Sequence, residues 1–136
     1  MAENKIEQYL IDLMLTYQQV DSNLWLLDDE DHAIQGVVVM YAEPLVIVRA
    51  EIMDVPKNSL LELYTKLLEL NGSDIIHGAY ALDNNKIILL NTLQYETMDY
   101  EEFRATLDSF SLALTDHYPV LSKFREKAAA NRQKAD

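Results

Sequence analysis

Apolar residues open the chain with the spacing of one helical face: Ile6, Tyr9, Leu10, Leu13, Met14 and Tyr17 fall at offsets of 3, 4, 7, 8 and 11 from the first. This predicts a helix over 4–17. After Gln18-Gln19-Val20-Asp21-Ser22 the period changes to short runs rich in Val and Ile: Leu24 to Leu27, Gln35 to Tyr41, and Leu45 to Met53. Asp28-Asp29-Glu30-Asp31-His32 and Glu43-Pro44 separate them, so the runs read as a three-stranded antiparallel meander. In the third run Val46, Val48, Ala50 and Ile52 share one face, and Arg49 and Glu51 take the other, which is at least partly wet.

Pro56 stops that strand, Asn58 or Ser59 is available as a helix cap, and a second helix is predicted to run to Asn71 and close at Gly72. Its apolar positions, Leu60, Leu61, Leu63, Tyr64, Leu67, Leu68 and Leu70, cover an arc of roughly 180° at 100° per residue, wider than one core contact needs. Such a helix is either covered twice within its own domain or meets a second subunit. Strands from Ile75 to Leu82 and from Lys86 to Tyr95 flank Asp83-Asn84-Asn85, where two Asn tolerate positive φ and make a tight hairpin turn. Asp99 then caps a third helix, with Glu102 three residues on and a stripe from Phe103 through Leu107, Phe110, Leu114, Tyr118 and Leu121 to Phe124. Pro119 lies inside that stripe and predicts a break near Tyr118.

The order α-β-β-β-α-β-β-α predicts a single α+β domain over 1–127, with a five-stranded antiparallel sheet and helices packed against it. Residues 128–136 lack an apolar face and read as a polar, basic, frayed tail.

Composition narrows the function. The 136 residues suffice for one domain, and the 49% that are hydrophobic are enough for a core. With no cysteine there is no disulfide, iron–sulfur cluster or thiolate zinc site. No 18-residue apolar run occurs and the N-terminus is polar, which gives the expectation of a cytoplasmic protein with no signal peptide and no membrane association. The net charge of −12 is uneven: up to Ser122 there are six basic and 21 acidic side chains, a balance of −15 that repels nucleic acid.

The residue patterns that mark catalysis are missing. His32, His77 and His117 are far apart in sequence and form no metal-ligand spacing. Asp28-Asp29-Glu30-Asp31 lacks the alternation and the central Gly of a calcium loop and reads as a solvated hairpin tip. The serines have no nucleophile-elbow context, and Gly36, Gly72 and Gly78 are too scattered for a phosphate loop. No catalytic residue, metal or cofactor is therefore expected. What remains is surface able to contact polypeptide.

Four phrases carry a resemblance to known proteins: Leu67-Leu68-Glu69-Leu70-Asn71, His77-Gly78-Ala79-Tyr80-Ala81-Leu82, Ile87-Ile88-Leu89-Leu90 and Asp99-Tyr100-Glu101-Glu102-Phe103. In these the second half of the chain resembles the YbjN family and, through it, the CesT/Tir-type chaperones of type III secretion. The resemblance implies the secretion-chaperone-like fold, a homodimer, and a client segment that lies extended on the domain surface. The expected function is thus a non-enzymatic, chaperone-like or regulatory protein-binding module, with a client protein and a second copy of the chain as partners. The alternative is a regulatory domain that senses a small molecule held between sheet and helices. Leu60, Leu61, Tyr64 and Leu68 are the candidate dimer contact. Arg49, Glu51, His77 and Tyr80 are the candidate peptide-contact surface.

Overall fold

A computed structural model describes residues 4–125. Helix α1 (Lys5–Asp12) is followed by β1 (Tyr17–Asp21), β2 (Leu24–Asp29), a short 3-10 turn (Glu30–His32), β3 (Ile34–Ala42) and β4 (Leu45–Asp54). Then come α2 (Leu60–Ser73), β5 (Ala79–Asp83), β6 (Lys86–Gln94), α3 (Tyr100–Asp116) and a helical segment α4 over 118–125. The strands form one antiparallel sheet in the order β1-β2-β3-β4-β6-β5. The α+β order is as predicted, but the sheet has six strands rather than five. The additional strand comes from the end of the predicted first helix: Leu13 caps α1, Met14 turns the chain at φ 57°, and Tyr17 opens β1 against Leu27. Tyr17 keeps the helical spacing only by coincidence; its ring still packs on the core, now from a strand.

Local chemistry fixes most other boundaries. Asn4 accepts from the Ile6 N–H at 2.8 Å and Asp99 from the Glu102 N–H at 2.8 Å, so α1 and α3 each begin on a side-chain cap. Ser59 precedes α2 in a left-handed conformation (φ 63°) and its side chain makes no cap bond, while α2 runs past Gly72 to Ser73. Asn84 and Asn85 take φ 48° and 68°, the mirror-image turn expected of that hairpin. Helix α3 stops at Asp116, with His117 as its cap, and Leu121 N–H returns to the His117 carbonyl as α4 starts. The predicted frayed tail lies outside the described residues.

The core lies on one side of the sheet. Trp25 and Leu27 of β2, Val37 and Val39 of β3, Val46 and Val48 of β4, and Leu89 of β6 are fully buried with Ile6, Leu10, Leu63, Phe103 and Phe110 of the helices. Each such side chain stabilises the fold by about 1.5–3 kcal/mol relative to exposure. Beyond the end of β6, Tyr95 stacks on Tyr41 with centroids 4.4 Å apart.

The acidic loop after β2 is not simply solvated. Asp29 is buried, accepts from the backbone N–H of Thr16 at 2.8 Å and of His32 at 3.1 Å, and its carboxylate lies 2.9 Å from His32 Nδ1. The His32 hydrogen bond first, then that of Thr16, holds its pKa down from 3.8 to about 2. Because the folded state lowers this pKa, the stabilisation is complete above about pH 4 and disappears as pH falls through 2. Thermal melts from pH 5 to pH 2 should therefore show a fall in Tm for the native chain. Asp29→Asn should melt several degrees lower at pH 5 and show a shallower fall; equal pH slopes would remove Asp29 from this role.

Candidate protein-binding surfaces

Alternation along each strand gives the sheet a second face, opposite the one that carries the core cluster. Its residues follow from the register: Leu24 faces Met40, Met40 faces Ile47, Leu26 faces Val38, Val38 faces Arg49, Arg49 faces Leu90, and Glu51 faces Ile88. Leu24, Leu26, Val38, Ile47 and Leu90 are half-buried by their neighbours alone, Met40 is exposed, and none of the six joins the core cluster. Among the described residues Ile88 is the one buried aliphatic outside that cluster. On its side of the sheet Arg49 reaches across from β4 to Asp83 of β5 with an N–O distance of 2.7 Å. The result is an apolar sheet surface with a single guanidinium near its middle, edged by Glu51 and Lys86, which stand 3.6 Å apart.

A second apolar surface lies on α2. Leu63, Leu67 and Leu70 are buried, whereas Leu61 and Leu68 are 82% and 70% exposed, Leu60 is at the edge of exposure and Tyr64 is half-buried. The wide apolar arc is thus half core and half open. At its C-terminal end α2 holds the sheet edge: Asn71 accepts from the Tyr80 N–H at 2.7 Å and donates to the Tyr80 carbonyl at 3.2 Å. Tyr80 is not bonded to β6 through these groups, because Asp83 and Lys86 close the hairpin and Tyr80 opposite Leu89 falls in a non-hydrogen-bonded pair. The amide of Asn71 occupies the position that a neighbouring strand would take.

Beneath this clasp a polar chain runs from the buried Tyr80 and His117 out to the exposed Asp74 and Ser73. Tyr80 OH is 2.7 Å from His117 Nδ1, and His117 Nε2 is 3.1 Å from Asp74 Oδ2, while Ser73 Oγ donates to Asp74 at 2.9 Å. Burial, then the Asp74 charge, pushes the Tyr80 hydroxyl well above the usual tyrosine range, so it stays protonated and able to donate. Ser73 first and His117 next hold Asp74 below the usual carboxylate range. A donating Tyr80 leaves His117 Nδ1 as acceptor and Nε2–H as donor to Asp74, one tautomer satisfied at both nitrogens. The arrangement ties β5, the end of α2 and the α3–α4 corner together, and a protonated, buried tyrosine is no nucleophile.

Comparison with known proteins fits this architecture. The family model CesT_Tir_1 matches residues 1–127. The chain belongs to that family. Among solved structures, a chain of the heterodimeric ExoU–SpcU complex of the Pseudomonas aeruginosa type III secretion system superposes with a TM-score of 0.68 at 17% identity, covering 84% of this chain and 95% of that one. YbjN of E. coli, provisionally described as a transcription regulator, gives 0.60 at 16% identity over 88% and 93%. A chain of the ExsC–ExsE complex gives 0.53 at 12% identity over 89% and 97%. At these identities the likeness is one of fold. A comparison with curated protein sequences found no match.

In this member of the CesT_Tir_1 family the four candidate peptide-contact residues separate. Arg49 and Glu51 share the open sheet face, as their alternation indicated. Tyr80 is 7% exposed with its ring among the helices, and His77 precedes β5 in a bend, where its N–H donates to Ser109 Oγ at 3.3 Å. The predicted strand from Ile75 starts only at Ala79 because Gly78 adopts φ 120°; a Cβ there would stand 3.1 Å from the Leu90 carbonyl and 3.4 Å from Phe110. The aliphatic residues of the open face escaped the sequence reading. Their signal was present in the unbroken apolar runs Val37-Val38-Val39-Met40 and Leu45-Val46-Ile47-Val48, the mark of strands apolar on both faces. Among the described residues no three His, Asp or Glu side chains are placed to hold a metal ion, and no helix is long and apolar enough to cross a membrane.

Tyr80→Phe removes one hydroxyl from the polar chain and leaves His117 Nδ1 buried without a donor. Urea denaturation should show a loss of about 1–3 kcal/mol. A variant as stable as the native chain would mean that the Tyr80–His117 bond contributes nothing.

Proposed function

We propose that this chain is a non-enzymatic, chaperone-like module of the cytoplasm that holds an extended segment of a client polypeptide on the surface of an acidic homodimer. The observation that supports this most directly is the open apolar face of the sheet with Arg49 at its centre. Six aliphatic or thioether side chains lie there, five half-buried and Met40 exposed, with no covering layer among the described residues, and a contiguous apolar patch of this kind marks a contact with another polypeptide. An extended segment suits the site, since its alternating side chains can settle between the rows Leu24–Met40–Ile47 and Leu26–Val38–Leu90 while its carboxylates meet Arg49. The solved ExoU–SpcU and ExsC–ExsE structures, in which a chain of this fold stands in a two-protein complex, support the same reading.

Dimerisation is assigned to the other apolar surface, the outward half of α2 with Leu60, Leu61, Tyr64 and Leu68. Two such helices packed across a two-fold axis cover each other's leucines with the same residues on both sides. Light scattering at micromolar concentration should give twice the mass of the chain, and Leu61→Glu with Leu68→Glu should give monomer. A strictly monomeric native chain would remove the dimer from this proposal. Client binding is tested separately: Val38→Glu and Ile47→Glu should leave the mass unchanged while abolishing retention of any polypeptide that the native chain captures from a bacterial lysate. Capture undiminished by both substitutions would remove the open face as the client site.

A further inference from the structure

At the end of the sheet, between the β2–β3 turn and the α3–α4 corner, a cleft of about 1000 Å³ opens to solvent. It belongs to neither surface described above, apart from Glu51, which stands between it and the open sheet face. Leu114 and Tyr118 supply its accessible apolar wall, backed by Ile34 and Leu121 of the core, and Asp28 and Glu30 join Glu51 at the rim. Asp29 also lines it, but its two oxygens are engaged by Thr16 and His32. Asp28 gives one oxygen to the Gly36 N–H at 2.7 Å and keeps the other, and Glu30 points from an exposed turn. Volume and mixed lining match a site for side chains of a ligand rather than a packing defect.

The protein itself shows which chemistry the cleft accepts. Arg125, on its far wall, donates from Nη2 to the Ile52 carbonyl, and its guanidinium lies 5.4 Å from the centre of the Tyr118 ring. A strand carbonyl, an aromatic face and carboxylates are the partners a guanidinium seeks. Glu51 is already shared with Lys86, which leaves Asp28 and Glu30 as the two rim carboxylates without a cation of their own among the described residues. We infer that this cleft receives an arginine-bearing apolar stretch of a partner polypeptide, its guanidinium at Asp28 and Glu30 and its apolar neighbours against Leu114 and Tyr118. The inference rests on the reading of the chain as a protein-binding module and names the kind of segment it recognises.

The test is fluorescence anisotropy of the full chain with three labelled synthetic peptides, alternating Arg-Leu, Glu-Leu and Arg-Ser. The Arg-Leu peptide should bind, and each of the others should bind about tenfold or more weakly, because charge and apolar contact are both required. Asp28→Asn with Glu30→Gln should weaken the Arg-Leu peptide by about tenfold, and Thr115→Trp, an exposed position on the cleft wall, should do the same by filling it. Glu69→Gln with Glu96→Gln, which removes the same charge elsewhere, should leave the affinity unchanged. Equal effects of the two double variants would reduce the attraction to net charge and overturn the site. Loss of binding with Val38→Glu but not with the cleft variants would place the segment on the open sheet face, overturning the cleft and sparing the proposed function. A tenfold gain in Lys127→Gln, Arg132→Gln, Lys134→Gln would show the chain's own basic end to be the occupant and would likewise overturn the inference.

Discussion

Strand β6 is paired on both sides, and its successive residues therefore have fates that no rearrangement can exchange: Ile87 and Leu89 lie under the helices, Ile88 and Leu90 on the opposite surface. The same division runs through β2, β3 and β4. A shift of one residue in any register would bring Arg49 into the core and send Val48 or Ala50 out, so burial of the helical side locks the pairing of the whole sheet. The helices enforce this from one side only. With α1, α2 and α3 all contributing to a single core cluster, the opposite face has no covering layer among the described residues, and its apolar character becomes a property of their exterior.

Alternation and caps made the secondary structure readable in advance. Asp99 with Glu102, the Asn84-Asn85 turn and Pro119 each state a local event whose physics lies within four residues, and each was realised. The additional strand was hidden because Tyr17 satisfies a helical and a core-facing strand position equally well, and only pairing with β2 decides between them. Asp29 was hidden for a similar reason. Four adjacent acids look alike in sequence, and only the fold brings the Thr16 N–H and His32 to one of them.

The surfaces were partly legible. The excess width of the α2 stripe was a statement about geometry that needed no partner to be made. Arg49 and Glu51 were correctly placed on one face of their strand, yet the aliphatic residues around them looked like ordinary core, because whether a helix covers an apolar strand face is decided by distant segments. His77 and Tyr80, neighbours in a single phrase, were separated by the turn that Gly78 permits.

The clasp of Asn71 on Tyr80 bears on how the sheet can grow. Its two outer strands offer unequal templates: β5 has its backbone groups at Tyr80 taken by a side chain that mimics a strand for one residue and cannot continue as one, while β1 carries Gln18, Gln19 and Asp21 outward into water. A side chain that interrupts β5 at Tyr80 makes that edge the poorer of the two templates for another strand. The side-chain clasp thus works against edge-to-edge pairing on the side of the sheet where α2 ends.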